Sequence, residues 1–317
     1  MLLSAGGFAV YLSESNVFGV LAQRFGDLSR AQNRRRLMAA WLESKLFRAS
    51  GLEAAAIEAK IAAECRNYGD FLRITMGEIA RSQHARRWAE NTPEHILYAP
   101  VIKALIPDAL FIHMIRDGRA VALSLDRRVD RGLQVLPWDR KHNRLIQGIY
   151  WEWIVQRGRN LGAGLAADYL EVRFEDLVCK PQQALEAVGG FIDQKLNYER
   201  IQEVAYRTVR HPNTSFGNED EFDPVDRWRA AYAQKDLQIF EDLAGDLLVE
   251  LGYPVNARTS PAAAEFRRIR AFYRRYFAGR FWLKTSALGR LRPRMNGRRL
   301  DEIVMGEDRA PALAENR

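Results

Sequence analysis

One stretch of this 317-residue chain restricts its fold more than any other. Residues 109–115 (ALFIHMI) are almost continuously apolar, which is typical of a strand buried on both faces of a parallel sheet. The strand leads into the tight turn Arg116-Asp117-Gly118, and a helical pattern follows from Arg119. Because strand–turn–helix units of this kind build α/β folds, we expect an α/β domain.

Helical and extended segments alternate along the rest of the chain. Apolar residues recur three or four positions apart from Val17 to Arg87, which predicts a long helical region. Helices are also predicted at 150–161, 181–192 and 238–251. Further strands are predicted at 8–12, 87–89 and 169–173. This alternation predicts many helices around a mainly parallel central sheet.

The net charge of +8 is unevenly distributed. Residues 261–299 contain 12 Lys or Arg and one acid, whereas residues 300–317 contain five acids and two Arg. The remaining residues are balanced, so the basic character belongs to the C-terminal segment and predicts no nucleic-acid partner for the main body. We expect a basic amphipathic helical extension over 257–299 and a disordered tail over 300–317.

Other classes of protein are disfavoured. The chain has no apolar run long enough to span a membrane, and its N-terminus lacks the basic region of a signal peptide. The two cysteines, Cys65 and Cys179, lie far apart and match no metal-ligand spacing. We therefore expect reduced thiols, a cytoplasmic protein and no metal.

The end of the 109–115 strand carries groups that bind anions. Open α/β sheets bind ligands at this end of a strand, where backbone N–H groups and the helix dipole favour negative charge. Arg116 can hold a phosphate bidentately, and Ser124 and Arg119 lie on the following helix. Asp-Gly is also a common turn, however, and an arginine at a strand end is often only solvated.

The whole stretch resembles the 3′-phosphate-binding segment of the sulfotransferase family. There, a strand enters R-D-x-R and a serine lies eight residues after the first arginine, as Ser124 follows Arg116. The resemblance implies a P-loop-like three-layer fold and 3′-phosphoadenosine 5′-phosphosulfate as the sulfuryl donor. It also implies that Arg116 and Ser124 hold the 3′-phosphate of this donor.

Other segments match the family in the expected order, so that the resemblance covers residues 1–256. They are Trp88–Pro93, Tyr169–Leu177, Val225–Arg229 and Glu250–Pro254. The resemblance implies that Arg227 and Arg229 close over the nucleotide, although they also flank a tryptophan that is expected to pack in the core. The segment 17–87 is then a helical insertion on the acceptor side.

Two carboxylates are candidates for the base that removes the acceptor proton. The resemblance favours Glu14, just after the predicted strand 8–12; the alternative is that Glu14 caps the next helix. Glu90 is the second candidate, and its alternative is a simple ion pair with Arg86 or Arg87. Asn91 stands where relatives often carry a lysine, which weakens the catalytic interpretation.

The family also carries a loop such as P-R-S-G-T-T that cradles the 5′-phosphosulfate, and no such loop occurs in this chain. The first strand and this loop are expected to precede Met1. Either the start is assigned to an internal methionine, or the protein is a paralog without the loop.

The leading hypothesis is therefore a sulfotransferase acting on a hydroxyl or amine of a small molecule, glycan or peptide. One alternative is an inactive protein that binds a 3′-phosphoadenosine nucleotide. The other is a protein that contacts a membrane surface or a partner through residues 265–283. In residues 265–283, aromatic side chains recur at helical spacing among six arginines. The same aromatic face could equally dock on the domain itself.

The sequence does not indicate an oligomeric state.

Overall fold

The computed structural model of the protein describes residues 1–126, 136–208, 225–256, 264–286 and 300–303. These residues form two compact units. Unit 1 comprises the described residues of Met1–Ala109, Leu196–Ser215 and Arg290–Arg317. Unit 2 comprises those of Leu110–Lys195 and Phe216–Gly289. The predicted domain limits at 256 and 299 stay predictions.

The helices and strands follow the predicted alternation. The two strands are β1 (Phe111–Ile115) and β2 (Tyr169–Arg173). The α-helices are α1 (Ala22–Phe25), α2 (Ala31–Leu42), α3 (Lys45–Ser50), α4 (Ala54–Glu64), α5 (Tyr68–Ser82), α6 (Ala99–Leu105), α7 (Gly118–Asp126), α8 (Asn143–Gly162), α9 (Phe174–Cys179), α10 (Pro181–Phe191), α11 (Tyr198–Thr208), α12 (Trp228–Ala231), α13 (Gln234–Glu250), α14 (Ala264–Thr285) and α15 (Leu300–Ile303). A π-helix, Val17–Leu21, precedes α1, and a 3-10 helix, Pro93–Tyr98, precedes α6.

Unit 2 contains the parallel sheet. Strands β1 and β2 pair in parallel from Phe111 opposite Tyr169 to Ile115 opposite Arg173. Each strand leads directly into a helix, so that their carboxyl ends lie at one edge of the sheet. This confirms the α/β class and the parallel sheet, which has two strands in the described part of the chain. The three-layer arrangement stays a prediction.

Close packing of α7 on α8 fixes the turn after β1. A Cβ atom on Gly118 would lie only 2.4 Å from the Trp151 ring, so the second residue of the Asp-Gly turn has to be a glycine. Trp151 also donates a hydrogen bond from its indole Nε1 to the carbonyl oxygen of Arg116, at 3.0 Å. Helix α8 therefore packs against the end of β1 and hydrogen-bonds to it through Trp151.

Unit 1 is mainly helical, as predicted from residues 17–87. The Trp41 and Phe71 rings meet edge to face with their centroids 5.5 Å apart, and both side chains are buried. Helix α5 begins with a capping box in which Asn67 and Asp70 each accept a backbone hydrogen bond from the other. The apolar positions that predicted helices thus form the core of unit 1.

The predicted strands 8–12 and 87–89 are both reduced to one parallel bridge, between Phe8 and Arg87. Beyond the bridge, the side-chain amide of Gln83 takes the place of a neighbouring strand. The Val10 N–H donates to Gln83 Oε1 at 2.7 Å, and Gln83 Nε2 donates to the Val10 carbonyl at 3.0 Å. Because a side chain satisfies this backbone, no longer ladder forms in the described residues.

Two helices of the C-terminal segment lie among the described residues. Helix α14 lies within the predicted basic extension. In α15, Leu300 is buried and Asp301 accepts from the Lys45 backbone N–H at 2.7 Å. Disorder is therefore not found for residues 300–303, while 304–317 lie outside the described residues. None of the helices described is long and apolar enough to cross a membrane.

Candidate active site

Arg116 lies at the carboxyl end of β1, in unit 2. Its guanidinium group stacks over the Phe174 ring at 4.4 Å from the centroid, and the residue is half-buried. Burial lowers the pKa of Arg116, against the opposing charges of Glu175 and Asp117. Since arginine stays protonated at neutral pH, the site presents a partly desolvated cation, which strengthens its attraction for an anion.

Ser124 lies on α7, six residues after the first residue of that helix. It is half-buried, like Arg116. The structure thus places a guanidinium group and a hydroxyl donor on the same strand–turn–helix unit. Both are donor types that bind phosphate oxygens.

The backbone at this turn is less free than the sequence predicts. The Asp117 N–H donates to Glu175 Oε1 at 2.9 Å, and the Arg119 N–H donates to Asp117 Oδ1 at 2.8 Å. Two of the backbone donors expected to cradle an anion are thus already bound to protein carboxylates. Anion binding at this strand end therefore depends chiefly on side chains.

Arg119, predicted to contact the nucleotide, is buried with only 1% of its surface exposed. It donates to both Asp117 oxygens, to Glu241 at 2.5 Å and to the Pro254 carbonyl at 2.9 Å. Its guanidinium group also lies 3.9 Å from the Trp228 ring centroid. Because its donors are directed at buried protein groups, we reassign Arg119 from ligand binding to the scaffold.

Arg227 and Arg229 lie on either side of Trp228, whose ring is buried in the core of unit 2 as expected. Arg229 pairs with Asp226 at 2.8 Å and stacks on the Trp228 ring at 4.6 Å, with more than half of its side chain exposed. Arg227 is half-buried. Their contact with a nucleotide stays a prediction, and residues 209–224 before them lie outside the described residues.

The structure adds Arg173, which the sequence analysis treated only as part of a strand. Arg173 pairs in register with Ile115, so it lies beside Arg116 at the carboxyl edge of the sheet. Its guanidinium group stacks on the Tyr253 ring at 4.5 Å, and its Nε is buried without a hydrogen-bond partner among the described residues. The sequence feature that could have predicted this is that both arginines lie at the carboxyl ends of predicted parallel strands.

Glu175 bridges this edge of the sheet. It accepts from the Asp117 N–H through Oε1 and from the Tyr253 hydroxyl through Oε2, at 2.8 Å. The acid after β2 thus stabilises the turn after β1.

In unit 1, Glu90 forms the centre of a buried hydrogen-bonded cluster. It accepts from the N–H and the hydroxyl of Ser15 at 3.0 and 2.7 Å, from both donors of Thr92, and from His95 Nδ1 at 2.7 Å. Neither Arg86 nor Arg87 is among these partners, so the expected simple ion pair is replaced by a network.

The network keeps Glu90 ionised. Burial alone would raise the pKa of Glu90, but the hydrogen bonds that it accepts from His95, Thr92 and Ser15 lower it to about 2. A carboxylate with so low a pKa is a weak base, and all its partners are protein groups. We therefore favour a positioning role for Glu90.

His95, at the start of the 3-10 helix Pro93–Tyr98, is buried. Its Nδ1 lies against Glu90, and its Nε2 accepts from the Phe18 N–H at 3.4 Å. The ring therefore connects the cluster to the π-helix that begins at Val17. The presence of Glu90 five residues earlier in the chain was the sequence feature that could have predicted this contact.

Glu14 is half-buried and directly precedes Ser15, one of the Glu90 partners. Asn16 has a left-handed backbone (φ 53°), and its Nδ2 donates to the Glu14 carbonyl at 3.0 Å. Asn16, not Glu14, is the N-cap residue of the following helix. The turn around Glu14 is thus well defined, and its catalytic assignment stays a prediction.

A second buried histidine, His113, lies in the middle of β1. Its Nδ1 is hydrogen-bonded to the Tyr169 hydroxyl at 2.6 Å. Burial lowers the pKa of His113 to about 4; nearby Glu171 opposes this shift and Arg159 adds to it. It is therefore a neutral, hydrogen-bonded core residue. The described residues hold no group of three or more His, Cys, Asp or Glu suited to a metal ion.

Three kinds of comparison bear on these residues. Two curated nematode proteins, both named "Putative protein-tyrosine sulfotransferase", resemble the chain. The Caenorhabditis briggsae protein is 23% identical over 200 residues, covering 60% of this chain and 70% of the relative. The Caenorhabditis elegans protein is 23% identical over 179 residues, covering 54% of this chain and 67% of the relative.

A solved sulfotransferase domain from the curacin biosynthetic pathway shares the fold. It aligns with a TM-score of 0.50 at 16% identity and covers 80% of this chain and 92% of that domain. A model described as the sulfotransferase family matches residues 12–198, which is more than half of the chain and includes both carboxylates, Arg116 and Ser124. The chain therefore belongs to the sulfotransferase family.

Proposed function

We propose that the protein transfers a sulfuryl group from 3′-phosphoadenosine 5′-phosphosulfate to a hydroxyl group of a protein or peptide. The observation that carries the proposal is the strand–turn–helix unit with Arg116 at the strand end and Ser124 on α7, inside the region matched by the family. The family supports sulfuryl transfer in general. The donor and the acceptor are our inference.

The residues at the end of β1 fit the 3′-phosphate of this donor. Arg116 supplies charge-assisted hydrogen bonds from a partly desolvated position, and Ser124 supplies a hydroxyl. Arg173, beside Arg116 on the neighbouring strand, adds positive charge at the same edge. Arg119 is left out, because its guanidinium group is committed to Asp117 and Glu241.

The reaction needs a base for the acceptor. The acceptor oxygen forms a bond to sulfur while the bond between sulfur and the 5′-phosphate oxygen breaks, which leaves adenosine 3′,5′-bisphosphate. The acceptor proton passes to Glu14, which is half-buried, whereas Glu90 is buried among hydrogen-bond donors of the protein. The Glu90 cluster fixes Ser15 and thereby the backbone that carries Glu14.

The acceptor proposal rests on the relatives. Both nematode proteins carry names that specify protein tyrosine as the acceptor. A phenol is acidic enough to be activated by a carboxylate that is held close to it. We therefore infer a tyrosyl hydroxyl of a protein or peptide, rather than a small molecule, a glycan or an amine.

A transfer assay tests this proposal. The protein is incubated with the ³⁵S-labelled donor and a tyrosine-containing peptide, with the matching phenylalanine peptide as acceptor control. We expect label only in the tyrosine peptide, and Glu14→Gln should lower kcat by about 10²–10⁴-fold. Glu58→Gln, at an exposed position of α4, should leave the rate unchanged.

Two outcomes would contradict parts of the proposal. Label transfer that survives Glu14→Gln would remove Glu14 as the base while leaving the activity. Binding of adenosine 3′,5′-bisphosphate without any transfer would favour the alternative of a nucleotide-binding protein that lacks the activity.

A further inference from the structure

Helix α14 is fixed to unit 2 by one face. Its Tyr273 and Phe277 side chains are buried, and the Phe277 ring lies 5.2 and 6.0 Å from the Tyr150 and Trp153 rings of α8. The docked face also carries charge, because Arg270 and Arg274 both pair with the buried carboxylate of Glu152. The helix is therefore held by packing and by ion pairs.

The opposite face of α14 carries a line of residues that we call the outer stripe: the exposed Arg268, Phe272, Arg275 and Trp282, with the half-buried Gly279 among them. Their spacing of four, three, four and three residues places them on one side of a helix. The Phe272 side chain is 48% exposed and that of Trp282 is 56% exposed. Exposure of these two large apolar rings to water is unfavourable.

The charges of the helix divide between its faces. The two inner arginines share the carboxylate of Glu152, whereas Arg268 and Arg275 are exposed and have no ion-pair partner among the described residues. Arg267 and Arg280, also exposed, flank the stripe. The single acid of the helix, Glu265, lies at its start. The outer stripe therefore combines exposed aromatic rings with net positive charge.

We propose that the outer stripe binds an anionic phospholipid surface, with α14 lying parallel to it. Aromatic rings insert between head groups, while arginines reach the phosphates from the same helix face. Phe272 and Trp282 are ten residues apart, which is about 15 Å along the helix. That separation suits a flat interface better than successive bases of a polynucleotide, which are about 3.4 Å apart.

Vesicle co-sedimentation of the whole protein tests the proposal. Vesicles of phosphatidylcholine with 30% phosphatidylserine are compared with pure phosphatidylcholine. We expect binding only to the anionic vesicles, and about 30-fold or greater weakening by Arg268→Glu combined with Arg275→Glu. The matched control reverses two exposed arginines of α2, Arg35→Glu with Arg36→Glu, and should leave binding within about threefold.

A spectroscopic readout follows the aromatic part of the stripe. Brominated lipid should quench tryptophan emission of the native protein bound to anionic vesicles. Trp282→Phe should largely remove this quenching while the protein still sediments, since Trp282 is the exposed tryptophan of α14. Near-ultraviolet circular dichroism of each variant checks that it is folded.

Several results would overturn the proposal. Equal sedimentation of the native protein with neutral and anionic vesicles would do so, as would equal weakening by the α2 and α14 charge reversals. Binding to polyuridylate but not to vesicles, with the same dependence on Arg268 and Arg275, would assign the stripe to nucleic acid instead. Nucleotide binding at Arg116 is independent of all these outcomes.

Discussion

The Glu90 cluster of unit 1 and the Arg119 cluster of unit 2 each stabilise a buried charge, which is negative in the first and positive in the second. Glu90 is a buried anion surrounded by hydroxyls, backbone N–H groups and one histidine. Arg119 is a buried cation held by two carboxylates, a carbonyl and an aromatic ring. The first relies mainly on neutral donors, whereas the second is a full ion-pair network.

The two clusters use different partners, but each lies next to a residue to which we assign a role in the proposed reaction. Glu14 lies one residue from Ser15, which Glu90 holds, and Arg116 lies one residue from Asp117, which Arg119 holds. In each region a buried charged residue fixes the backbone next to a half-buried residue of the same charge, and we propose that the half-buried residue contacts the ligand. The predictions below test this division of roles.

The largest effect is expected in the Arg119 cluster. Arg119→Met leaves Asp117 and Glu241 buried without their cation, so we expect a loss of about 3–5 kcal/mol in the free energy of unfolding. Urea denaturation measures this. Arg116→Met, at the half-buried position, is the matched control and should cost less than about 1 kcal/mol; equal losses would abolish the distinction between the two arginines.

A smaller effect, dependent on pH, is expected for Glu90. Its folded-state pKa of about 2 lies below the ordinary value of 4.5, so the ionised carboxylate stabilises the folded state above pH 4.5. This contribution, roughly 3 kcal/mol at neutral pH, is lost as the pH falls from 4.5 towards 2.

Unfolding free energies of the native protein and Glu90→Gln, measured between pH 7 and 3, check this. The difference between the two should be largest at neutral pH and should narrow below pH 4.5. A difference that stays constant over this range would show that the ionisation of Glu90 contributes nothing, and that packing alone accounts for its cost.

Much of the fold could be predicted because its signals are local. The apolar run of β1 and the helical spacing from Val17 to Arg87 depend on neighbouring residues only. The prediction of a strand at residues 8–12 was wrong because the Val10 backbone hydrogen-bonds to the Gln83 side chain, 73 residues away, and not to a neighbouring strand. A side chain that replaces a strand leaves no periodic signal.

The candidate site could be predicted only in part, for the same reason. Arg116 and Ser124 form a local pattern along one strand and helix. The burial of Arg119 depends on Glu241 and Pro254, more than 120 residues away, and the saturation of Glu90 depends on Ser15, 75 residues away. Residue type and spacing identified the charged groups, but they did not show which of these groups form buried hydrogen bonds and ion pairs within the fold.

The central claim is that Arg116 binds the 3′-phosphate of the donor nucleotide, and calorimetric titration tests it most directly. The native protein and Arg116→Ala are each titrated with adenosine 3′,5′-bisphosphate and with adenosine 5′-monophosphate. Loss of a charge-assisted contact of about 1.5–3 kcal/mol should weaken bisphosphate binding by about 10- to 150-fold, and should leave the monophosphate within about threefold. A folded Arg116→Ala variant that binds both nucleotides as the native protein does, or loses both equally, would contradict the account.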